Sequence, residues 1–162
     1  MRRSILSHRA GRAAPRITGL VTVALLAVSC SDPFGPAHDE LEDATRTWVE
    51  AGAADYSFVF DRSCFCALIG PVRLTVEDGE LVDAEALEGS TAPGTRPPLE
   101  QFETIDGLLA RLDTTLDQEP VVFEVEYDPT YGYPTRVQID ISEQIADEEV
   151  YYEIRGFTAL AE

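Results

Sequence analysis

The sequence predicts an α+β fold, with two helices packed on one face of an antiparallel sheet of about six strands, in the order α-βββ-α-βββ. Two stretches place apolar residues at helical spacing, and six short stretches alternate apolar with polar residues, as half-buried strands do. The strand stretches follow one another closely and are separated by turn residues. Neighbouring strands are therefore expected to pair antiparallel, with one polar face in water.

The two predicted helices have recognisable starts. Asp39 is expected to cap the first helix, because Glu42 three residues later completes a capping-box pattern, and Gly52 is a natural stop. The second helix is expected to begin near Thr104, with Asp106 in its positively polarised first turn. The apolar faces comprise Leu41, Ala44, Trp48 and Ala51 in the first helix, and Ile105, Leu108, Leu109, Leu112 and Leu116 in the second.

The six predicted strands include a hairpin around Asp78-Gly79. A two-residue turn there would pair Leu74 with Asp83 and mix the two faces, so a three-residue turn that pairs Leu74 with Val82 is expected instead. The other inward positions are Tyr56, Phe58 and Phe60, then Val121, Phe123, Val125 and Tyr127, then Val137, Ile139 and Ile141, and finally Val150, Tyr152 and Ile154.

The first 30 residues have the pattern of a bacterial lipoprotein signal. Five arginines and no acid precede an apolar stretch from Ile17 to Val28, which as a helix would rise about 18 Å and fall short of the roughly 30 Å membrane core. The segment 26–30, Leu-Ala-Val-Ser-Cys, resembles the lipobox, in which cleavage precedes a cysteine that is then acylated. We predict a lipoprotein signal peptide over 1–29, a lipid-anchored tether over 30–38 and a single α+β domain over 39–162.

Acyl chains on Cys30 would hold the mature protein on the extracytoplasmic face of a bacterial membrane, in the cell envelope. The alternatives are a soluble secreted protein cut near this position and an uncleaved anchor. The mature chain has seven arginines, no lysine and 30 acidic residues, a net charge of −23. Nucleic acid is excluded as a partner, because its binding depends on basic residues that neutralise phosphates.

The inventory of reactive residues argues against common catalytic sites. His38 is the single histidine of the mature chain and falls in the predicted tether, so a Ser-His-Asp triad or a histidine-rich zinc site is not expected in the domain. The absence of lysine excludes Schiff-base chemistry, and no phosphate-binding or dinucleotide glycine motif is present. The sequence therefore predicts a protein that is not an enzyme and uses no cofactor.

The most distinctive local motif is Cys64-Phe65-Cys66. A structural disulfide is favoured for an exported protein, although two residues in a straight strand are about 6.6 Å apart, which requires a bend. The alternatives are a pair of thiolates for a soft cation such as Cu(I), and a redox-active pair. Acidic surroundings oppose the redox alternative, because they raise thiol pKa values.

Acidic residues offer a second candidate site. Asp140, Asp147, Glu148 and Glu149 lie near the loop before the last strand, and Asp128 lies at the other end of the preceding strand. Such oxygen-rich groups could hold Ca²⁺, or two carboxyl groups could hydrolyse a glycosidic bond. Solvated acidic loops are the simpler interpretation.

Tyr131 and Tyr133 lie in the turn before the fifth strand. Exposed aromatic residues are typical of interfaces, so these two tyrosines are a candidate partner-binding edge. Packing against the turn prolines is an equally good interpretation.

Several short motifs occur in a fixed order along the domain: Tyr56-Ser-Phe, Cys64-Phe-Cys, Val72 to Val76 followed by Asp78-Gly, Thr104-Ile-Asp, Tyr127-Asp through Gly132-Tyr-Pro-Thr to Ile139-Asp, and Asp147-Glu-Glu. This ordered set, over roughly residues 45–157, resembles the bacterial family called domain of unknown function 6174 (DUF6174). Ala67 stands where proline is often found, and Leu109 where phenylalanine is usual. The resemblance implies a small exported or lipid-anchored protein and supplies no catalytic residue.

Together these observations predict an exported bacterial lipoprotein that acts as a non-catalytic binding or maintenance module of the envelope. Its expected partners are the membrane, through Cys30, and an unknown envelope protein or small ligand. The alternatives are a metal-binding protein that uses Cys64 and Cys66 or the acidic loop, and a thiol-redox or carboxylate-based hydrolytic enzyme.

Overall fold

The computed structural model describes residues 34–63, 70–92, 94–142, 144 and 149–160. The chain divides into two units, Met1–Cys30 and Ser31–Glu162, and every described residue lies in the second unit. The α+β class is confirmed, since the described residues form two α-helices and one six-stranded antiparallel sheet. The elements are α1 (Gly35–Ala51), β1 (Tyr56–Ser63), β2 (Gly70–Glu77), β3 (Glu80–Ala86), a short 3₁₀ helix (Leu99–Gln101), α2 (Ile105–Leu116), β4 (Val122–Tyr127), β5 (Pro134–Asp140) and β6 (Val150–Ala159).

The strands lie in the order β3-β2-β1-β6-β5-β4. Each half of the chain forms three adjacent strands, and β1 and β6 pair along the middle of the sheet. This pairing joins the two halves into one sheet and leaves β3 and β4 as its outer strands.

Helix α1 starts earlier than predicted. It begins at Gly35, so the expected cap at Asp39 is wrong, and residues 35–38 of the predicted tether form its first turn. The N–H of His38 donates to the carbonyl of Phe34 at 3.0 Å. Pro36 stands in the first turn, where its fixed φ suits a helix and its missing N–H costs nothing, which explains why a Pro-Gly segment is helical here.

Helix α2 starts where the sequence predicts. Its cap is Thr104, whose Oγ1 accepts from the N–H of Gly107 at 3.2 Å. Two residues from other elements also hold this end: Ile105 N–H donates to the Tyr56 hydroxyl at 3.0 Å, and the Asp106 carboxylate accepts from the Trp48 indole at 3.1 Å. All five predicted apolar residues of α2 are buried.

The register of the β2–β3 hairpin differs from the predicted one. Asp78 and Gly79 form a two-residue turn in which both have positive φ, 51° and 77°. A bulge at Val82 then shifts the register, so Leu74 lies opposite Ala84 rather than opposite Val82 as predicted. The bulge is the physical reason, because it lets the tight Asp-Gly turn form without mixing the two faces.

A second bulge lies in β6. Phe58 of β1 lies opposite both Gly156 and Phe157, and Gly156 takes the left-handed conformation, φ 62°. The extra residue turns the half-buried Phe157 toward the core, where its ring meets Trp48 and Tyr56 with centroids 5.9 and 5.6 Å apart.

One hydrophobic core joins both helices to the sheet. Its strand residues are Tyr56, Phe58, Phe60, Val72, Leu74, Val76, Ala84, Val137, Ile139, Tyr152 and Ile154, and its helical residues are Leu41, Trp48, Ile105, Leu108, Leu109, Leu112 and Leu116. Strand β4 differs from the other five strands, because its apolar side chains are only partly buried.

Candidate functional site

The two tyrosines of the predicted partner-binding edge lie against the core. Tyr133 is only 8% exposed and stacks on Phe157, with ring centroids 4.8 Å apart. Tyr131 is half-buried, and its ring centroid also lies 4.8 Å from that of Phe157. The expected exposure is therefore wrong for Tyr133, whereas Tyr131 is partly exposed, and partner binding at these tyrosines stays a prediction. The bulge at Gly156 places Phe157 beneath this turn, and strand alternation could not indicate that.

Two of the predicted acidic residues, Asp128 and Asp140, accept hydrogen bonds from backbone amides of the turns in which they lie. The Asp128 carboxylate accepts from the amides of Thr130 and Tyr131 at 2.9 and 2.8 Å. The Asp140 carboxylate accepts from the amide of Ser142 at 3.0 Å. Both are Asx-type turns, which give these carboxylates a structural role.

Several predicted site residues are outside the part of the chain that the structure describes: Cys30, Cys64, Cys66, Asp147 and Glu148. Lipidation, the disulfide and the thiol-based alternatives stay predictions. Glu149 is described and exposed. Among the described residues, no group of three or more His, Cys, Asp or Glu side chains could hold a metal ion.

The outer edge of β3 is covered by the segment that follows it. Ala86 N–H donates to the carbonyl of Thr95 at 2.9 Å, so the chain returns alongside the end of the strand. The Arg96 guanidinium pairs with the Asp83 carboxylate of β3. The Ala86–Thr95 bond satisfies one backbone donor, at the last residue of β3, of the row that an edge strand otherwise presents to a partner.

The outer edge of β4 has no such cover within the described part of the chain. Strand β4 pairs with β5 on one side, and no described strand pairs with its other side. Phe123, Val125 and Tyr127 are half-buried on one face, and Glu124 and Glu126 are exposed on the other. An edge strand of this kind presents a row of backbone donors and acceptors.

Two grooves border this edge. The first, about 360 Å³, lies between α1 and β4 and is lined in part by Glu40, Asp43, Val125 and Tyr127. The second, about 460 Å³, also contacts Glu40 and Val125 and extends to the outer face of the sheet. We call the exposed edge of β4 together with these two grooves the β4 groove. Its carboxylates are Glu40, Asp43, Glu124, Glu126 and Asp128.

Tyr127 contributes an unsatisfied hydroxyl to this region. The hydroxyl oxygen is buried and makes no hydrogen bond within the described residues. Burial raises the pKa of Tyr127, and the nearby Tyr152 and Glu40 raise it further. The hydroxyl therefore stays protonated at neutral pH and can donate to an acceptor.

The outer face beside β4 is polar and largely neutralised. Arg136 lies 3.5 Å from the Glu126 carboxylate and 3.4 Å from that of Glu153. The Tyr151 hydroxyl donates to Glu153 at 2.6 Å, and this bond, assisted by Arg136, lowers the pKa of Glu153. Glu40 of α1 and Glu124 of β4 have no basic partner within 4 Å among the described residues, so their charges are not offset by an ion pair.

Sequence reasoning identified β4 as a strand but did not single it out as a site. The alternation of Val and Phe with Glu in residues 122–126 could have indicated this site, since it places two carboxylates on one exposed face of the strand. The alternation does not say which strand lies at the edge of the sheet. That depends on the pairing of β1 with β6.

The comparisons with known proteins identify a family. A family model described as a family of unknown function, DUF6174, matches residues 40–159, so the chain belongs to this family. No curated protein and no solved structure matches the chain. In the described residues, no helix has the length and apolar character needed to cross a membrane.

Proposed function

We propose that this member of the DUF6174 family is an exported bacterial lipoprotein that acts as a non-catalytic binding module of the cell envelope. Acyl chains on Cys30 hold it at the extracytoplasmic face of the membrane. Both helices cover one face of the sheet, in the order α-βββ-α-βββ, and the β4 groove faces partners. An extended, basic segment of an envelope protein adds to the sheet beside β4.

The sequence pattern around residues 26–30 supports the anchor. A basic start, a short apolar stretch and a cysteine after small residues are what a lipoprotein signal requires. Helix α1 begins at Gly35, so only four residues, 31–34, separate the cysteine of the proposed anchor from the first helix.

The observation that carries the binding role is the unpaired edge of β4 beside an acidic groove. Strand addition uses main-chain hydrogen bonds for affinity and side-chain grooves for specificity. The outer edge of β4 offers backbone groups for such bonds, and two grooves border it. The partner is basic, because Glu40, Asp43 and Asp128 line the groove next to α1 and Glu124 and Glu126 line the other side.

The reactive groups of the described residues support a role without catalysis. His38, the histidine of the mature chain, lies in the first turn of α1, where its ring nitrogen contacts the Phe34 carbonyl at 3.1 Å. Its other ring nitrogen is 3.7 Å from the Asp117 carboxylate. The first contact lies within the start of α1, and the second joins the start of α1 to the end of α2.

The anchor is tested by expressing the full chain in a bacterium and fractionating the cells. We expect the protein in the membrane fraction, with an acylated N-terminal Cys30 by mass spectrometry, and we expect Cys30→Ala to lose the acyl group. Cys64→Ala is the matched control and keeps it. An uncleaved, unacylated chain in the cytosol would refute the anchor and leave the binding role open to its own test.

The binding role is tested with a short synthetic peptide that alternates Arg and Val, and with its Glu-Val counterpart as a control. The full chain, purified in detergent, is titrated with each peptide by fluorescence anisotropy, and amide exchange is followed in β4. We expect the Arg-Val peptide to bind and to slow exchange in β4. The Glu-Val peptide is not expected to bind, because the groove repels its carboxylates.

Two double variants locate the binding. Glu124→Lys with Glu126→Lys reverses the charge at β4 and should weaken binding roughly tenfold. Glu80→Lys with Glu85→Lys makes the same change in β3 and should leave it unchanged. The pairs are matched, since each breaks one exposed ion pair, Glu126 with Arg136 or Glu85 with Arg73. Equal losses in both variants would show attraction to overall charge and contradict the proposal.

A further inference from the structure

The arginines of the mature chain are paired with carboxylates, with one exception. Six of the seven lie within 4 Å of a carboxylate oxygen: Arg46, Arg73, Arg96, Arg111, Arg136 and Arg155. Arg62 has no such partner among the described residues. In a chain with 30 acidic residues, an arginine without a carboxylate is unexpected on grounds of number alone.

Arg62 is also partly desolvated. It lies near the end of β1, opposite Tyr152 of β6, and its guanidinium carbon is 6.0 Å from the centre of the Phe60 ring. Its Nε is buried and makes no hydrogen bond within the described residues. Removing a charged donor from water without a partner is costly, so this position favours a negatively charged group.

A second guanidinium lies close by. The guanidinium carbon of Arg111, on α2, is 5.9 Å from the centre of the Tyr152 ring, and its Nη2 is 3.2 Å from the Glu103 carboxylate. The pKa of Arg62 is lowered by burial and then by the charge of Arg111, and Glu103 opposes this. Two guanidiniums thus share one carboxylate, and neither loses its proton in a protein.

Tyr152 completes the group. It is 1% exposed, and its hydroxyl oxygen is buried without a hydrogen bond among the described residues. Burial raises the pKa of Tyr152 to about 12, so the hydroxyl is a donor at neutral pH. Glu103 Oε2 is also buried without a hydrogen bond among the described residues, so Arg62, Arg111, Tyr152 and Glu103 form a cluster with two positive charges, one negative charge and three polar atoms without hydrogen bonds.

We propose that this cluster is a binding site for a small oxyanion, either a carboxylate or a phosphate group. Arginine binds both with paired N–H donors, and charge-assisted bonds of this kind are the strong ones. The anion lies between the Arg62 and Arg111 guanidiniums and accepts from the Tyr152 hydroxyl. Glu103 competes with it for Arg111. The site shares no residue with the β4 groove, although Tyr152 lies near Tyr127 of that groove, and it does not depend on the anchor.

The site is tested by titrating the full chain, purified in detergent, with inorganic phosphate and separately with succinate. Ionic strength is held constant with chloride, and binding is measured by calorimetry and by the melting temperature. We expect saturable binding of at least one anion, and the tighter of the two identifies the oxyanion. No saturable binding of either anion at millimolar concentrations would overturn the proposal.

Three variants locate the binding. Arg62→Gln should weaken it by about tenfold or more, because one charge-assisted contact is lost. Glu103→Gln should tighten it, because the competing carboxylate is gone, and this variant keeps the test decisive if Arg62→Gln folds poorly. Arg73→Gln removes the same charge from an exposed, ion-paired site and should leave affinity unchanged. Weaker binding in Glu103→Gln, or an equal loss in Arg73→Gln, would refute the site.

Discussion

The sheet has two outer strands, β3 and β4, and the segments beside their outer edges differ. The segment after β3 returns alongside it, donating the Ala86 amide to Thr95 and pairing Arg96 with Asp83. Along β4 the described residues place no comparable cover, and the strand relies on two exposed glutamates. Strand β3 is the last strand of its half and is followed by the segment that contains Thr95 and Arg96, whereas β4 is the first strand of its half and follows α2 directly, so the difference comes from the segments around them.

This difference has a physical meaning. Uncovered edges invite pairing with other chains, and proteins limit this with short strands and charged side chains. Strand β4 is six residues long and carries Glu124 and Glu126, which repel other acidic chains, including copies of this one. The same charges leave the edge open to a basic segment. The comparison therefore favours β4 over β3 as the edge that pairs with a basic segment.

The largest expected effect comes from Gly132, which lies in the turn that follows β4. Its φ is 80°, and a Cβ there would clash with the carbonyl oxygen of Ala44 and lie 2.9 Å from the backbone N of Trp48. Gly132→Ala should lower the free energy of unfolding by about 3 kcal/mol, since both the left-handed backbone and the overpacking against α1 are unfavourable. Urea denaturation measures this.

Gly79→Ala is the matched control at the β3 end of the sheet. Its φ is 77°, but a Cβ there meets nothing within 4 Å, so only the backbone penalty of about 1 kcal/mol is expected. A similar loss in the two variants would show that the contact between the β4 turn and α1 is not close.

The next effect compares a tyrosine of β4 with one in the centre of the sheet. Tyr56→Phe removes the acceptor for the Ile105 amide and should cost about 1 kcal/mol of unfolding free energy. Tyr127→Phe removes a buried hydroxyl that has no described partner, so stability should be unchanged or higher. Thermal or urea unfolding of both variants tests this. A clear loss in Tyr127→Phe would mean that its hydroxyl already has a partner in the folded chain.

The smallest expected effect concerns the cover of β3. Arg96→Ala removes an exposed ion pair, so the urea midpoint should not change measurably. Hydrogen exchange at the Ala86 amide should become faster, because the segment that accepts from it is less firmly held. Unchanged exchange would show that the Thr95 contact covers β3 without help from Arg96.

Much of the fold could be predicted from residue patterns. Thr104 and the five apolar residues of α2 identify that helix, since a side-chain cap and a 3.6-residue period are local properties. Gly52 ends α1 as predicted, in the left-handed conformation. The start of α1 was predicted too late, because proline occurs both in extended tethers and in the first turn of helices, and Pro36 was assigned to a tether.

The candidate site was less predictable. The sequence indicated Tyr131 and Tyr133, and these pack against Phe157 because a bulge at Gly156 changes which way that ring points. A bulge shifts every side chain after it to the other face, and alternation alone does not reveal it. The Arg62 cluster was missed because its members come from β1, α2 and β6, far apart in the chain.

The sequence by itself determined the local elements, two amphipathic helices and six alternating strands, and the acidic charge of the chain. These follow from the identity and spacing of neighbouring residues. The tertiary structure decided which strand lies open, which tyrosines are hidden and which arginine lacks a carboxylate. These features depend on the pairing of β1 with β6 and on the bulges in the sheet. Contacts between residues that are distant in the chain follow from all packing interactions together, and a short sequence pattern does not predict them.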